Sequence, residues 1–212
     1  TNHPIDGTKL YAEGYDVQVA KIIADELGLE LEIKALAWDA LIQNLNTGAI
    51  DMIIAGMSPT AERLETIDFT ASYYESTHVL LVKKDSKYAS ASKLADFAGA
   101  TVIGQTGTIY ADLVPQAVAA GAVAGNNLAT VPLIVNAILN DTVDATIVEE
   151  PVAKGIVTNQ EGYVYIQLEE QFELDEADKV VSIGVRKSDD KLLEKVNESL
   201  AKIQEATRQQ LM

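Results

Sequence analysis

Arg63 is the residue in this sequence best suited to hold a small anion. It closes the stretch Ala55-Gly56-Met57-Ser58-Pro59-Thr60-Ala61-Glu62-Arg63. A guanidinium is a planar cation whose N–H fork takes a carboxylate through two parallel hydrogen bonds. Just before it, Ile50-Asp51-Met52-Ile53-Ile54 reads as a short buried strand that runs into a glycine. After Gly56, the run Ser58 to Arg63 reads as the start of a helical turn. Ser58 or Thr60 can cap it, and Pro59 sits where a first-turn proline is tolerated. A strand that ends in glycine and feeds a capped turn presents backbone N–H groups at its tip, which suits a carboxylate. On these residues alone, an ordinary surface loop with its arginine in a surface ion pair fits as well.

Two other strand ends carry complementary groups. Thr101-Val102-Ile103 runs into Gly104-Gln105-Thr106-Gly107-Thr108, a second glycine-bearing loop at a helix start with hydroxyl and amide donors. It is too short for a Walker-type phosphate loop and lacks that loop's lysine. Ala145 to Val148 is a strand that ends in Glu149-Glu150-Pro151. A cation, hydroxyls and a carboxylate together complement a zwitterion such as a free amino acid. Trp38 begins a helix near the same end of the first lobe and suits either stacking on a ligand or plain packing. Catalytic sets are poor. His3 lies in a polar loop and His78 inside an apolar strand, where it reads as a packed structural residue, so no Ser-His-acid set is visible. There is no His-x3-His, no carboxylate cluster and no cysteine, so no catalytic residue, metal or cofactor is expected.

Composition narrows the class further. The chain has 212 residues, 48% hydrophobic and 23% charged, which is ordinary for a globular protein and allows one large domain or two small lobes. No apolar run approaches the roughly 18 residues that span a bilayer. The opening Thr1-Asn2-His3-Pro4 has neither the basic region nor the apolar core of an export signal, so the expectation is a cytosolic protein or a processed or trimmed exported one. A net charge of −16, from 32 acidic against 16 basic residues, argues against nucleic acid and anionic membrane as partners.

The elements that must position these groups alternate. Thr1 to Gly14 reads as a loop, Tyr15 to Leu27 as a helix stopped by Gly28, and Leu29 to Leu36 as a strand because apolar and charged residues alternate. Trp38 to Leu45 is a helix, followed by the strand Ile50 to Ala55 and extended segments at Ile67 to Phe69 and Tyr74 to Lys83. Lys84 to Ser92 is polar and turn-prone and is the expected crossing between lobes. Ser92 caps a short helix, Lys93 to Phe97. Helices over Ile109 to Ala120, Leu133 to Leu139 and Val152 to Thr158 alternate with strands at Tyr163 to Gln167 and Val180 to Val185, and an amphipathic helix over Lys191 to Arg208 closes the chain. Alternating strands and helices predict parallel sheets covered by helices. The pattern Leu41, Leu45, Asp51, Ile53, Ile54 recurs 93 positions later as Ile134, Ile138, Asp144, Thr146, Ile147. The repeat favours two similar α/β lobes, with a ligand cleft joining the carboxyl ends of both sets of strands.

These residues resemble a known family. Gly14-Tyr15-Asp16-Val17, the Gly56 to Arg63 block, Ile67-Asp68-Phe69-Thr70 with Tyr73-Tyr74, Gly104-Gln105-Thr106-Gly107-Thr108, and Asp144-Ala145 leading to Glu149 occur in the order found in substrate-binding proteins of bacterial ABC importers for polar amino acids. The resemblance covers nearly the whole chain. It implies a two-lobed α/β fold of the type II periplasmic binding protein, with two crossing segments, a first lobe of residues 1–84 plus 184–212 and a second of 85–183. It also implies site roles. Arg63 would hold the ligand's α-carboxylate, Ser58 and Thr108 would add donors, and Gly56 with its neighbour Met57 would offer backbone groups, the Gly56 carbonyl to the α-amino group. Glu149 would pair with that amino group where many relatives have aspartate. Trp38 would form an aromatic wall and Gln105 would sit near the ligand side chain. Relatives begin with a strand and an aromatic-bearing loop ahead of the region matching Thr1 to Gly14, and that segment is expected to be missing here.

The resemblance thus implies an extracytoplasmic, non-enzymatic receptor, a monomer in the periplasm or tethered at the cell surface. It would capture a free L-amino acid, glutamine or arginine, and deliver it to an ABC transporter permease. Membrane association would be indirect, through a lipoprotein anchor or a fused permease outside this chain. Two other readings stay open: a dehydratase- or lyase-like enzyme on the same fold with Glu149 or Glu150 as general acid, and a sensory ligand-binding module.

Overall fold

The computed structural model describes residues 2–4, 10–12 and 14–203. In chain order the elements are β1 (Asn2–Pro4), β2 (Leu10–Ala12), α1 (Tyr15–Leu27), α2 (Leu41–Asn46), β3 (Met52–Ile53), α3 (Ala61–Leu64), β4 (Asp68–Phe69), β5 (Tyr74–Glu75), β6 (His78–Lys83), β7 (Thr101–Ile103), α4 (Ile109–Ala119), β8 (Val123–Ala124), α5 (Val131–Leu139), β9 (Ala145–Glu149), α6 (Glu150–Asn159), β10 (Tyr163–Ile166), β11 (Val180–Val181), β12 (Gly184–Val185) and α7 (Asp190–Lys202). They form two compact units, Thr1–Glu75 with Asp175–Met212, and Ser76–Leu174.

In the first unit, β12 is the middle strand of three and runs antiparallel to both neighbours, with Gly184 opposite Ile53 on one side and Phe69 on the other. A two-stranded ladder, β5 with β11, joins the two chain segments of this unit. Helix α1 buries Val19 and Ile23 against Val196 and Leu200 of α7, with Tyr73, Val181 and Ile183 in the same core. The 3.6-residue period of both helices produces that contact, because each has one apolar stripe to hide.

The second unit is built on a mixed five-stranded sheet in the order β10-β6-β9-β7-β8. Strand β9 is buried along its whole length, parallel to β7 and antiparallel to β6. One face (Leu80, Val82, Ala145, Ile147) carries α4 through Ile109, Leu113 and Ala117. The other (Val79, Leu81, Ile103, Val148) carries α5 and α6 through Ile134, Ile138 and Ala153. Helices on both faces explain why β6 and β9 read as continuous apolar runs in the sequence.

The repeat seen in the sequence is two copies of a helix packed on the strand that follows it, α2 on β3 and α5 on β9. The repeated aspartates differ in use. Asp51 pairs with Arg186 at 3.0 Å, and Asp144 accepts a hydrogen bond from the Thr101 N–H at 2.7 Å.

Several expectations change. Within Thr1 to Gly14, β1 and β2 form an antiparallel hairpin, with His3 opposite Tyr11, instead of an unbroken loop. Residues 29–37 form no regular element, and Leu29, Ile33 and Leu36 are exposed. Alternation makes a strand only where a neighbouring strand completes the ladder, and none among the described residues pairs there. The extended run from Tyr74 splits into β5 and β6, which belong to different units. The sequence put the joins at 84/85 and 183/184; the units meet at 75/76 and 174/175. Strand β6 goes with the second unit because it lies between β9 and β10. The short helix after Ser92 is a 3-10 turn over Leu94–Phe97, and the carboxylate of Asp96 receives the Ser92 and Lys93 N–H groups. The part of the last helix expected beyond residue 203 lies outside the described residues.

Candidate functional site

The tip between β3 and α3 is held through Met57, Ser58, Thr60 and Arg63. Gly56 has φ 64°, a left-handed conformation that glycine takes at little cost. Met57 is 1% exposed and packs with Leu41, Leu45, Ile53 and Ile67, so its side chain is core and only its backbone faces other work. The Met57 carbonyl accepts from the Ser182 N–H at 3.0 Å. Ser58 is buried, and its hydroxyl donates to the Asp178 carbonyl at 3.4 Å. The Ser58 carbonyl accepts from the Arg63 guanidinium at 2.9 Å. Of the two candidate caps, Thr60 does the capping, since its Oγ1 accepts from the Arg63 N–H at 3.3 Å. The guanidinium also lies 5.4 Å from the centroid of the Trp38 ring. Arg63 is therefore a half-buried cation oriented by a backbone carbonyl and an aromatic face.

The structure thus brings Trp38, Gly56, Met57, Ser58 and Arg63 together in the first unit. It also supplies a support that the sequence reading missed. Tyr73, 1% exposed, donates its hydroxyl to Asp16 at 2.7 Å. Tyr15 stacks on Tyr73 with ring centroids 5.7 Å apart and donates its hydroxyl to the Tyr73 carbonyl at 3.1 Å. Burial raises the Asp16 carboxyl above its ordinary range, and the hydrogen bond from the Tyr73 hydroxyl opposes that rise. The signal available in the sequence was an aspartate in the first turn of a helix, together with a paired Tyr73-Tyr74.

In the second unit, β7 and β9 run in parallel, so Gly104 and Glu149 leave the sheet at the same end. The loop after β7 folds onto residues 127–129. The Gly104 N–H donates to Asn127 Oδ1 at 2.9 Å, the Thr106 N–H to the Leu128 carbonyl at 2.9 Å, and the Gln105 amide to the Ala129 carbonyl at 3.1 Å. Thr108 is buried, and its hydroxyl donates to the Gln105 carbonyl at 2.8 Å. Gly104 must be glycine, because a Cβ there would stand 2.4 Å from the backbone of Tyr110 and Ala111. Glu149 is 4% exposed, the last residue of β9 and the residue before α6. A buried carboxylate and a buried hydroxyl-bearing loop at one sheet end suit a polar, cationic group. His78, on β6 opposite Glu149, also lies at this end, because antiparallel β6 begins where β9 finishes.

Among the described residues, no group of three or more His, Cys, Asp or Glu could hold a metal ion, and no helix is long and apolar enough to cross a membrane.

The chain is similar to known proteins. The arginine-binding extracellular protein ArtP of Bacillus subtilis is 33% identical over 142 residues, 67% of this chain. That match spans 54% of the Bacillus protein's length. An amino acid ABC transporter substrate-binding protein from Streptococcus pneumoniae, solved bound to L-arginine, superposes with a TM-score of 0.83 at 29% identity, covering 99% of this chain and 86% of that one. An ancestral arginine-binding protein, solved with arginine and also with glutamine, gives TM-scores of 0.80 and 0.79 at 29% identity, covering 99% of this chain and 90% and 89% of those. The mixed α/β architecture is that of the type II periplasmic binding proteins. With the family's sequence pattern running from residue 5 to residue 212, the chain belongs to the bacterial extracellular solute-binding proteins, family 3.

Proposed function

We propose that this chain is the ligand-capturing part of an amino-acid ABC importer and binds one free polar amino acid, arginine or glutamine, without turning it over. Arg63 is the observation that carries the reading. A half-buried guanidinium, fixed by the Ser58 carbonyl and the Trp38 ring, is a preorganised partner for an α-carboxylate. Ser58 and the backbone of Gly56 and Met57 complete that half of the site. Glu149, Thr108 and Gln105 supply the other half, with Glu149 taking the α-amino group and Gln105 near the side chain. The two sets lie on different units. The likeness to arginine-bound and glutamine-bound relatives supports the substrate class.

The same reading places the protein outside the cytoplasm, in the periplasm or tethered at the cell surface. It would be a monomer that docks on a permease, with membrane attachment outside this chain. A thermal-shift screen of the twenty amino acids tests the reading. Arginine or glutamine at a hundred times its Kd should add about 2.7 kcal/mol to stability and raise the Tm visibly. A flat response to all twenty, confirmed by calorimetry, would reject it.

A further inference from the structure

We infer that Asn127 is a positioning residue for the ligand-binding loop of the second unit: it stitches a bulge beside β7 that turns Gln105 out of the sheet and holds it for a ligand side chain. The inference rests on the function proposed above and deepens it.

The register beside β7 changes by one residue. Val102 stands opposite Ala124 in the parallel pair β7–β8, whereas Gln105 stands opposite Leu128. One chain segment advances three residues and the other four, so an extra residue is inserted between Ala124 and Leu128. Up to that point the ladder is regular, and the Gly125 N–H donates to the Val102 carbonyl at 3.0 Å. A regular parallel ladder would next send the Gly104 N–H to the Gly125 carbonyl. It goes instead to the Asn127 side chain, whose Oδ1 accepts at 2.9 Å. The ladder then resumes one residue late, with the Leu128 N–H on the Gly104 carbonyl at 3.3 Å and the Thr106 N–H on the Leu128 carbonyl at 2.9 Å.

Gly104 is buried, so its N–H depends on that acceptor. Gly125 is as tightly placed as Gly104, since a Cβ there would stand 2.6 Å from Ile103 Cγ2 and 2.9 Å from Thr101 Cγ2. Asn127 itself is exposed, so its carboxamide serves the loop and not the core. What the bulge delivers is Gln105, and bulges beside binding sites commonly re-aim a side chain in this way. The Gln105 amide donates to the Ala129 carbonyl at 3.1 Å. A carbonyl only accepts, so the NH2 end faces Ala129 and the amide oxygen remains as an acceptor. An acceptor held in one place suits a ligand side chain that ends in N–H donors, a guanidinium or a carboxamide.

The test uses Asn127→Ala, which removes the acceptor, and Asn127→Asp, which keeps an oxygen in its place. In the alanine variant the Gly104 and Thr106 amide protons should exchange faster. Calorimetry should show its affinity for arginine and for glutamine weakened about tenfold. The aspartate variant should bind glutamine, whose side chain is uncharged, within about threefold of the parent. A double-mutant cycle separates positioning from general loosening of the unit. In a Gln105→Ala background, Asn127→Ala should cost no more than about twofold, because the side chain it aims is gone. A full tenfold loss in that background, an alanine variant that binds like the parent, or an aspartate variant as weak as the alanine variant overturns the inference. If the parent binds no amino acid, the functional reading falls instead, and exchange at Gly104 still decides the stitch: a rate unchanged in the alanine variant rejects it.

Discussion

His78 and Glu149 are register partners on the antiparallel strands β6 and β9, so both side chains stand on the face that carries α4. The imidazole is 2% exposed, with Tyr110 of α4 edge-on at 5.8 Å, and neither ring nitrogen has a hydrogen-bond partner. Burial drives its pKa from 6.5 down to about 4, so at neutral pH it is an uncharged packing group beside the buried Glu149.

That burial predicts a pH dependence of stability. Between about 4 and 6.5 the unfolded chain binds a proton on His78 that the folded chain refuses. Stability therefore rises with pH through this window and is lost as the pH falls from 6.5 toward 4. At about 1.4 kcal/mol per pH unit, the term is worth roughly 3 kcal/mol. His78→Leu fills a similar volume without orphaned nitrogens, so it should match or exceed the parent at pH 7 and lose this part of the slope. Urea unfolding at pH 7 and pH 4.5 measures the difference. Equal slopes in the two proteins would show that the ring is not held neutral.

Gly104→Ala should be costly although it adds one methyl group. The new Cβ would meet the backbone of Tyr110 and Ala111 at 2.4 Å, and backbone in a helix cannot rotate away. Forced separation of this loop from α4 should cost about 1–3 kcal/mol, the usual range for overpacking. Since the loop carries Thr108, ligand affinity should fall too. A denaturation midpoint unchanged from the parent would mean that the loop has slack.

Arg186 should behave as a structural cation, separate from the site. Its guanidinium donates to the carbonyls of Leu45 at 3.1 Å and Ile50 at 2.6 Å, and pairs with Asp51 at 3.0 Å and Asp189 at 2.7 Å. Four partners in different directions need the arginine fork, and a lysine ammonium cannot reach them all. Arg186→Lys should lose about 1.5–3 kcal/mol in denaturant unfolding. Ligand affinity, measured by calorimetry on the folded variant, should stay within twofold of the parent.

The sequence carried local patterns well and connections poorly. Helix α1 was legible because Val19, Ile23 and Gly28 give it a stripe and a stop, and β6 because its apolar run matches a strand covered on both faces. The split between Glu75 and His78 was not legible. Tyr74 to Lys83 reads as one extended run, and only the pairing of Val181 with Tyr74 and of Ile147 with Leu80 assigns its halves to different sheets. Arg63 and Glu149 were proposed because their charges stand after strand ends in the sequence. Asp16 and Arg186 were missed because their partners, Tyr73 and the carbonyls of Leu45 and Ile50, lie 57 to 141 residues away in sequence. Met57 was a site candidate by position alone, and its side chain belongs to the core.

Arg63 divides charge from geometry most cleanly. Arg63→Ala removes the cation that would meet the ligand carboxylate, leaving that carboxylate desolvated and unpaired. Losses of about 2–5 kcal/mol are usual for one partner of a buried charged pair, which is roughly thirtyfold to several thousandfold in Kd. Arg63→Lys keeps the charge but cannot donate to Ser58 and hold a carboxylate bidentately at once, nor present a planar face to Trp38. Its affinity should fall between parent and alanine variant, closer to alanine if geometry outweighs charge. Trp38→Leu, which removes the ring under the guanidinium, should weaken binding less, about threefold to tenfold, in line with a contact worth roughly 0.5–1 kcal/mol plus lost orientation. Calorimetry on all three variants at one ionic strength decides the order. A lysine variant that binds like the parent would show that Arg63 acts as a point charge and that its anchoring at the Gly56 tip is incidental.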